Sequence, residues 1–329
     1  MARLATRPPA TLHRPRVRQR ATSSGTLALI ATAALWGSNH AVARAARDAV
    51  PLPALVFWRW LPAAIILTLV AWPALRQGWP AIRPRLGGLI AGGAVGVGMF
   101  SYLLLGGAYQ SLAIEVGFIN ATTPVWVLLL GLVMGGGRLT AAMKSGMALA
   151  FAGTLLIIAK GRLQALTGLQ FNLGNLWSLL AAITFAWFTI RVRDWSRTIA
   201  PLPLMVATGW SGLIVVMLPV YLIWIARGGP WLAWHDADVG FALAATAYTG
   251  LAPTMLGNLF YLYGVAVLGP ARAAAFLYLS PLFSAAFSIA WLGERLAWYH
   301  LCGIAAILAG LMLLGRSASG PERAASEPV

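Results

Sequence analysis

Charge is scarce in this sequence, and acid scarcer still. Only 10% of its 329 residues are Asp, Glu, Lys or Arg, and eight of them are acids. A soluble domain carries about a quarter charged residues, so this chain cannot solvate itself as a globule. A single cysteine, Cys302, excludes an internal disulfide and a cysteine-based metal cluster. The four histidines have no metal-ligand company in sequence, so neither a metal nor another cofactor is expected. The glycine-rich stretch Gly87–Phe100, GGLIAGGAVGVGMF, lacks the preceding strand and the Lys-Ser/Thr ending of a phosphate loop. Its Gly88, Gly92 and Gly96 recur every fourth residue, the spacing of close helix packing. No secretory leader with a clear cleavage site is expected at the N-terminus.

Apolar residues are abundant. They make up 60% of the chain, with mean hydropathy +0.77. Apolar segments fall at about 25–45, 53–73, 86–108, 114–134, 141–159, 172–191, 203–226, 239–265, 271–292 and 298–315. Each is close to the length that spans a bilayer, about 20 residues. The expected fold is therefore all-α and integral to a membrane, with ten spans. Residues 1–24 read as a basic, disordered cytoplasmic tail and 316–329 as a cytoplasmic C-terminal tail. The formal charge of +16 suggests nucleic acid in a soluble protein, but here it is spread over short loops and a tail. With the N-terminus inside, 17 basic residues lie on the inner side and six outside. That bias predicts both termini in the cytoplasm, a lipid bilayer as partner and no nucleic acid.

Two stretches repeat. The run TPVWVLLLGLVMGGGRLTAAMKSGMALAFAGTLLI from Thr123 aligns with SPLFSAAFSIAWLGERLAWYHLCGIAAILAGLMLL from Ser280, an offset of 157 residues. Pro124 falls on Pro281, Gly136, Arg138 and Leu139 on Gly293, Arg295 and Leu296, and Gly146 and Gly153 on Gly303 and Gly310. This predicts two five-helix repeats, 25–159 and 172–315. Five spans is an odd number, so the halves are inverted relative to each other, the architecture of many secondary transporters.

Pro124 and Pro281 interrupt apolar runs, and each frees a carbonyl four residues upstream, that of Asn120 or Leu277. Freed backbone groups at membrane depth must be buried in protein or face a wet cavity. The flanking polar and aromatic groups predict one central cavity: Asn120, Thr122, Thr123 and Trp126 at the first break, Tyr278, Ser280 and Ser284 at the second. A kink that serves packing alone is the alternative. Arg59, the one charge well inside a span, is a candidate ligand for a substrate carboxylate. The alternative is a structural arginine bound to helix carbonyls. Asn39 and His40 lie late in the first span, Asn39 beside the expected cavity. Glu115 opens the fourth span and is the candidate for proton coupling; an interfacial helix-start acid is the simpler reading.

The repeat, together with LWGSN (Leu35–Asn39), FWRW (Phe57–Trp60) and GERL (Gly293–Leu296), resembles the drug/metabolite transporter superfamily in its EamA-type ten-helix branch. The resemblance covers roughly residues 25–315. It implies a bacterial inner-membrane carrier, often an exporter of amino acids or other small metabolites, with two inverted halves around a central cavity. Gly137 departs from the pattern, standing where the family often has the acid seen at Glu294. The expected function is a secondary exporter of small metabolites such as amino acids, aromatic or apolar ones included, and not an enzyme. The rival reading is a membrane-embedded enzyme acting on a lipid or prenyl substrate. Such enzymes need carboxylate pairs or a His/Asp constellation, and no DxxD-type pair lies at a helix end.

Overall fold

The computed structural model describes residues 15–135, 140–162, 172–269, 273 and 276–318. Among them the secondary structure is helical, with no strand. Helix α1 is Pro15–Ala46 and α2 is Leu52–Ile82; a short 3₁₀ turn, Arg83–Arg85, leads into α3, residues 86–110. Helix α4 has two pieces, Ala113–Asn120 and Thr123–Gly135, and α5 is Ala141–Ile158. Then follow α6 (Leu173–Trp195), α7 (Pro201–Ala226) and α8 (Val239–Leu268). A 3₁₀ turn, Leu277–Leu279, precedes α9 (Ser280–Leu292), and α10 is Trp298–Ala318.

Six stretches among the described residues are long and apolar enough to cross a bilayer: Leu52–Gln110, Ala113–Met134, Ala141–Ile158, Leu173–Trp195, Pro201–Ala226 and Val239–Leu268. Two apolar helices are shorter, Leu277–Leu292 and Trp298–Leu314. The first of the six reverses direction at Arg83–Arg85. Pro84 occupies that turn, and the indole of Trp60 on α2 donates to Ser101 Oγ on α3 at 3.0 Å. Only a hairpin brings residues 41 apart along one helical run into contact. Large apolar side chains also point outward, Val133 being 84% and Leu69 71% exposed, as the lipid-facing surface of a bundle requires.

Helix α1 starts earlier than the apolar pattern predicts, at Pro15 rather than near residue 25. Its first turn tolerates a proline because the missing N–H has no helical partner there. Residues 1–14, the turn 136–139 with Gly136, Gly137, Arg138 and Leu139, and Arg272 lie outside the described residues.

Small residues decide which helices touch. Side chains from α6 cover the glycines of α3: Trp195 sits on Gly88 and Gly92, and Phe188 sits on Gly96. A Cβ on Gly92 or Gly96 would collide with those rings, so the every-fourth-residue glycines are packing positions. Between α5 and α10, Gly146 lies 2.7 Å (as an added Cβ) from the carbonyl of Gly310, and Gly153 faces that of Gly303. The two contacts run in opposite directions along the helices, so α5 and α10 are antiparallel. The second piece of α4 and helix α9 are 13 residues each, and both ends of the pair differ by 157 residues. Wide π-helical turns also recur near that offset, at Ala94–Met99 in α3 and Gly250–Leu256 in α8.

The connections separate into two ends. At one end Trp234 N–H donates to the Ala49 carbonyl at 3.0 Å, Asn172 Nδ2 to that of Gln110 at 3.3 Å, and Trp298 covers Gly161. Arg44 and Glu294 join the same end. At the other end, Trp195 covers the start of α3, and Gly78 lies against Pro203.

Candidate functional site

Helix α1 is the hub. Its segment Trp36–His40, inside the quoted LWGSN motif and one residue past it, presents consecutive residues to three other helices. Trp36 Nε1 donates to the Pro253 carbonyl on α8 at 3.1 Å. Gly37 faces α9 so closely that a Cβ would meet the Ser280 carbonyl and the Ser284 amide nitrogen at 2.7 Å each. Ser38 Oγ bonds Tyr248 Oη on α8 at 2.7 Å, and His40 Nδ1 bonds Ser284 Oγ on α9 at 3.1 Å. Asn39 Oδ1 accepts from Arg59 Nη1 on α2 at 3.4 Å. Helical spacing fans these side chains around the axis, and the small residues Gly37 and Ser38 allow the close approach.

Arg59 is the buried charge at this crossing, 6% exposed. Its Nη2 donates to Thr254 Oγ1 at 2.7 Å, and Thr254 in turn donates to the Thr249 carbonyl at 2.8 Å. Thr254 sits in the π-helical turn of α8, beside Pro253. The backbone there approaches Arg59 so closely that a Cβ on Gly250 would strike the Arg59 carbonyl. Arg59 Nε has no hydrogen-bond partner, and no carboxylate lies within ion-pair distance among the described residues. Its hydrogen-bond partners are neutral, and the guanidinium keeps a donor to spare.

The two breaks look different in detail. At the first, the side chains fold back onto their own helix. Thr123 Oγ1 donates to the Asn120 carbonyl at 2.7 Å, the group that Pro124 frees, and Asn120 Nδ2 donates to the Val116 carbonyl at 3.0 Å. Thr122 Oγ1 donates to the Ile119 carbonyl at 2.7 Å and accepts from Trp126 Nε1 at 3.2 Å. Trp126 packs edge-on against Phe151, ring centroids 5.0 Å apart. At the second break, Pro281 stands in the first turn of α9 and is buried, whereas Pro124 is exposed. Tyr278 packs against the apolar cluster of Ile114, Phe118, Ile119 and Val125, and Ser280 is half-buried. Thus Asn39 meets Arg59, the Ser280 backbone approaches α1 at Gly37, Asn120, Thr123 and Trp126 lie together on α4, and Tyr278 joins the packing beside the α4 break. A separate apolar groove of about 380 Å³ is lined by Ala41, Val42, Ala45, Ala244, Tyr248 and Trp291 among others, and by none of these site residues.

Sequence reasoning missed a second polar cluster, at the end holding the α9–α10 connection. Gly293 ends α9 with φ 64°, the left-handed conformation glycine adopts freely. That turn brings Glu294 back against α4. Its Oε1 and Oε2 accept the amides of Ala113 and Ile114 at 3.0 and 3.1 Å, capping the free N-terminus of the helix. Arg44 Nε pairs with Glu294 Oε1 at 3.1 Å, and Arg44 Nη1 donates to the Ser111 carbonyl. One carboxylate and one guanidinium therefore join α1, the α3–α4 turn and the α9–α10 connection. Glu115 lies on the same first turn of α4, fully buried, with both carboxylate oxygens unpartnered. His300 of α10, also fully buried, brings Nε2 to 3.8 Å from Glu115 Oε1. The available signal was the GE dipeptide: a glycine that ends a helix, followed by an acid free to cap another.

Long apolar helices, an apolar outer surface and polar side chains gathered at interior crossings define a multi-pass membrane protein. A model of the EamA-like transporter family matches residues 23–159 and again 172–316. The chain belongs to that family, within the drug/metabolite transporter superfamily. It is 29% identical over 313 residues to a probable terminal-alkyne amino-acid exporter of Streptantibioticus cattleyicolor, covering 93% of this chain and 98% of that one. It is 30% identical over 144 residues to an uncharacterised transporter of Synechocystis sp., covering 44% of this chain and 41% of that one. A solved crystal structure shares the fold at TM-score 0.57 and 19% identity, covering 91% of this chain and 99% of that chain.

Proposed function

We propose that this transporter exports small metabolites bearing a carboxylate, amino acids first among them, as a secondary carrier of the bacterial inner membrane. One observation carries the substrate class: Arg59, buried and without a carboxylate partner among the described residues, at the meeting of α1, α2 and α8. A buried, unpaired charge in a membrane protein is expensive and is by default functional. A substrate carboxylate there gains charge-assisted hydrogen bonds and neutralises the arginine. The similarity to an amino-acid exporter along nearly the whole chain supports the same class.

In this reading ten helices form two inverted five-helix halves around one central cavity, with both termini cytoplasmic. The repeated 13-residue helices, the recurring π-helical turns and the twice-matched family model support it. So do the paired glycine contacts of α5 and α10, which exchange with each other when the halves are swapped. The breaks before Thr123 and Ser280 are the hinges of alternating access, and Asn120, Thr123, Trp126, Tyr278 and Ser280 line the path from them to Arg59.

Efflux from proteoliposomes loaded with amino acids, their decarboxylated amines and their methyl esters tests the class, read by mass spectrometry. Saturable loss of the free acids alone, weakened in apparent affinity at least tenfold by Arg59→Lys, is the expected result. Equal efflux of acids, amines and esters refutes the carboxylate reading. Chemical conversion of a loaded compound refutes the carrier.

A further inference from the structure

The pair of Glu115 and His300 has no part in holding a substrate at Arg59, and its geometry is unusual for packing alone. Both side chains are fully buried. Both carboxylate oxygens and His300 Nε2 lack hydrogen bonds, since 3.8 Å is too long for one. His300 Nδ1 accepts from the Ala297 backbone N–H at 3.1 Å. A backbone N–H can only donate, so Nδ1 is the acceptor there and Nε2 is the ring nitrogen that faces Glu115. Burying an ionised carboxylate with no partner is costly, and protonation removes the cost.

The surrounding charges do not remove it. Arg44 from α1 lies nearby, but its guanidinium is paired with Glu294, itself held by the Ala113 and Ile114 amides. Tyr299 adjoins on α10, with Arg162 beyond α5 acting on Tyr299. His40 from α1 stands beside Gly117 and is tied to Ser284. Arg44 acts on Glu115 only across space, since its ion pair and hydrogen bonds go to Glu294 and the Ser111 carbonyl.

We infer that Glu115 is a proton-binding site of this transporter, that His300 positions it, and that the end clasped by Arg44 and Glu294 closes only when Glu115 is protonated. Opening that end lets water reach Glu115, which then loses its proton to the medium. Closing it again requires the carboxylate to take one proton back, because the clasp buries Glu115 on the same helical turn that Glu294 caps. In the exporter reading above, on which this rests, the proton enters from the outer side as the empty carrier closes. The closing step therefore depends on the pH of the outer medium, the proton being released to and taken back from the same side.

Hydrogen–deuterium exchange of the full-length protein in nanodiscs, without substrate, tests the closure itself. The reporter is the pair of amides at Ala113 and Ile114, which Glu294 holds in the closed state. Rates are corrected for intrinsic exchange between about pH 5 and 8. Wild type should show strong protection at low pH, falling at least tenfold at high pH. Glu115→Gln, a neutral mimic, should stay protected across the range. His300→Gln keeps a side chain able to accept the Ala297 N–H; it should keep the transition but move its midpoint by about a pH unit. Glu294→Gln should lose protection at every pH, showing that the reporter reads the clasp. Wild-type protection that is flat with pH, or a Glu115→Gln transition like the wild type's, overturns the inference. Because no substrate is present, it stands or falls separately from the carboxylate-efflux result.

Discussion

The two proline breaks occupy equivalent positions, yet the chain treats them differently. In α4, Thr123 satisfies the freed Asn120 carbonyl from within the helix, and Asn120 bonds back to Val116. Before α9, the polar side chains serve other helices: Ser284 bonds His40 of α1 and donates to the Ala113 carbonyl of α4 at 3.0 Å. A sequence repeat thus gives one half a self-contained bend and the other a bend built into the hub. The same discontinuity can be mended locally or used as a joint, and the partner of each hydroxyl decides which.

Substitutions sharpen that contrast. The largest effect is expected at Gly37, where any Cβ meets backbone of α9. Gly37→Val should cost more than about 3 kcal/mol by overpacking and abolish the folded fraction in detergent, seen by size exclusion. Ser284→Ala leaves His40 and the Ala113 carbonyl without their partner and should cost about 1–3 kcal/mol, read as a lower melting temperature. Pro281→Ala and Pro124→Ala should each change stability little, since the first turn of a helical piece accepts proline and alanine alike. Both should slow efflux at saturating substrate, and unchanged rates in both variants would refute the hinges. Thr123→Val, which removes a bond confined to α4, should cost about 1 kcal/mol or less. A larger loss there than at Ser284 would reverse the comparison.

Much of this was legible in the sequence. Hydropathy located the helices, the 157-residue offset marked equivalent elements, and Pro124 and Pro281 marked where two helical pieces begin, whereas Pro62, Pro73 and Pro80 lie inside α2. Arg59 stood out because a charge in an apolar run is rare. Four-residue glycine spacing marked packing positions, but not that Trp195 and Phe188 cover them. What the sequence did not reveal depends on partners far apart in the chain. Thr254 meets Arg59 across 195 residues, and Glu294 caps an amide 181 residues away. The hydroxyls of Thr122 and Thr123 bond carbonyls of their own helix, a local partner that sequence alone does not single out. His300 gave no signal, since its role arises only where the starts of α4 and α10 meet.

The crossing of α5 with α10 bears on how such a chain arose. Gly146 meets Gly310 and Gly153 meets Gly303, and each member of one contact is the 157-residue counterpart of a member of the other. In an assembly of separate chains this arrangement is an isologous interface, one surface meeting its own copy across a dyad. A lone half would carry the whole of that surface. Two copies of it, related by a dyad, would close the same seam that here joins the middle of a single polypeptide to its last helix.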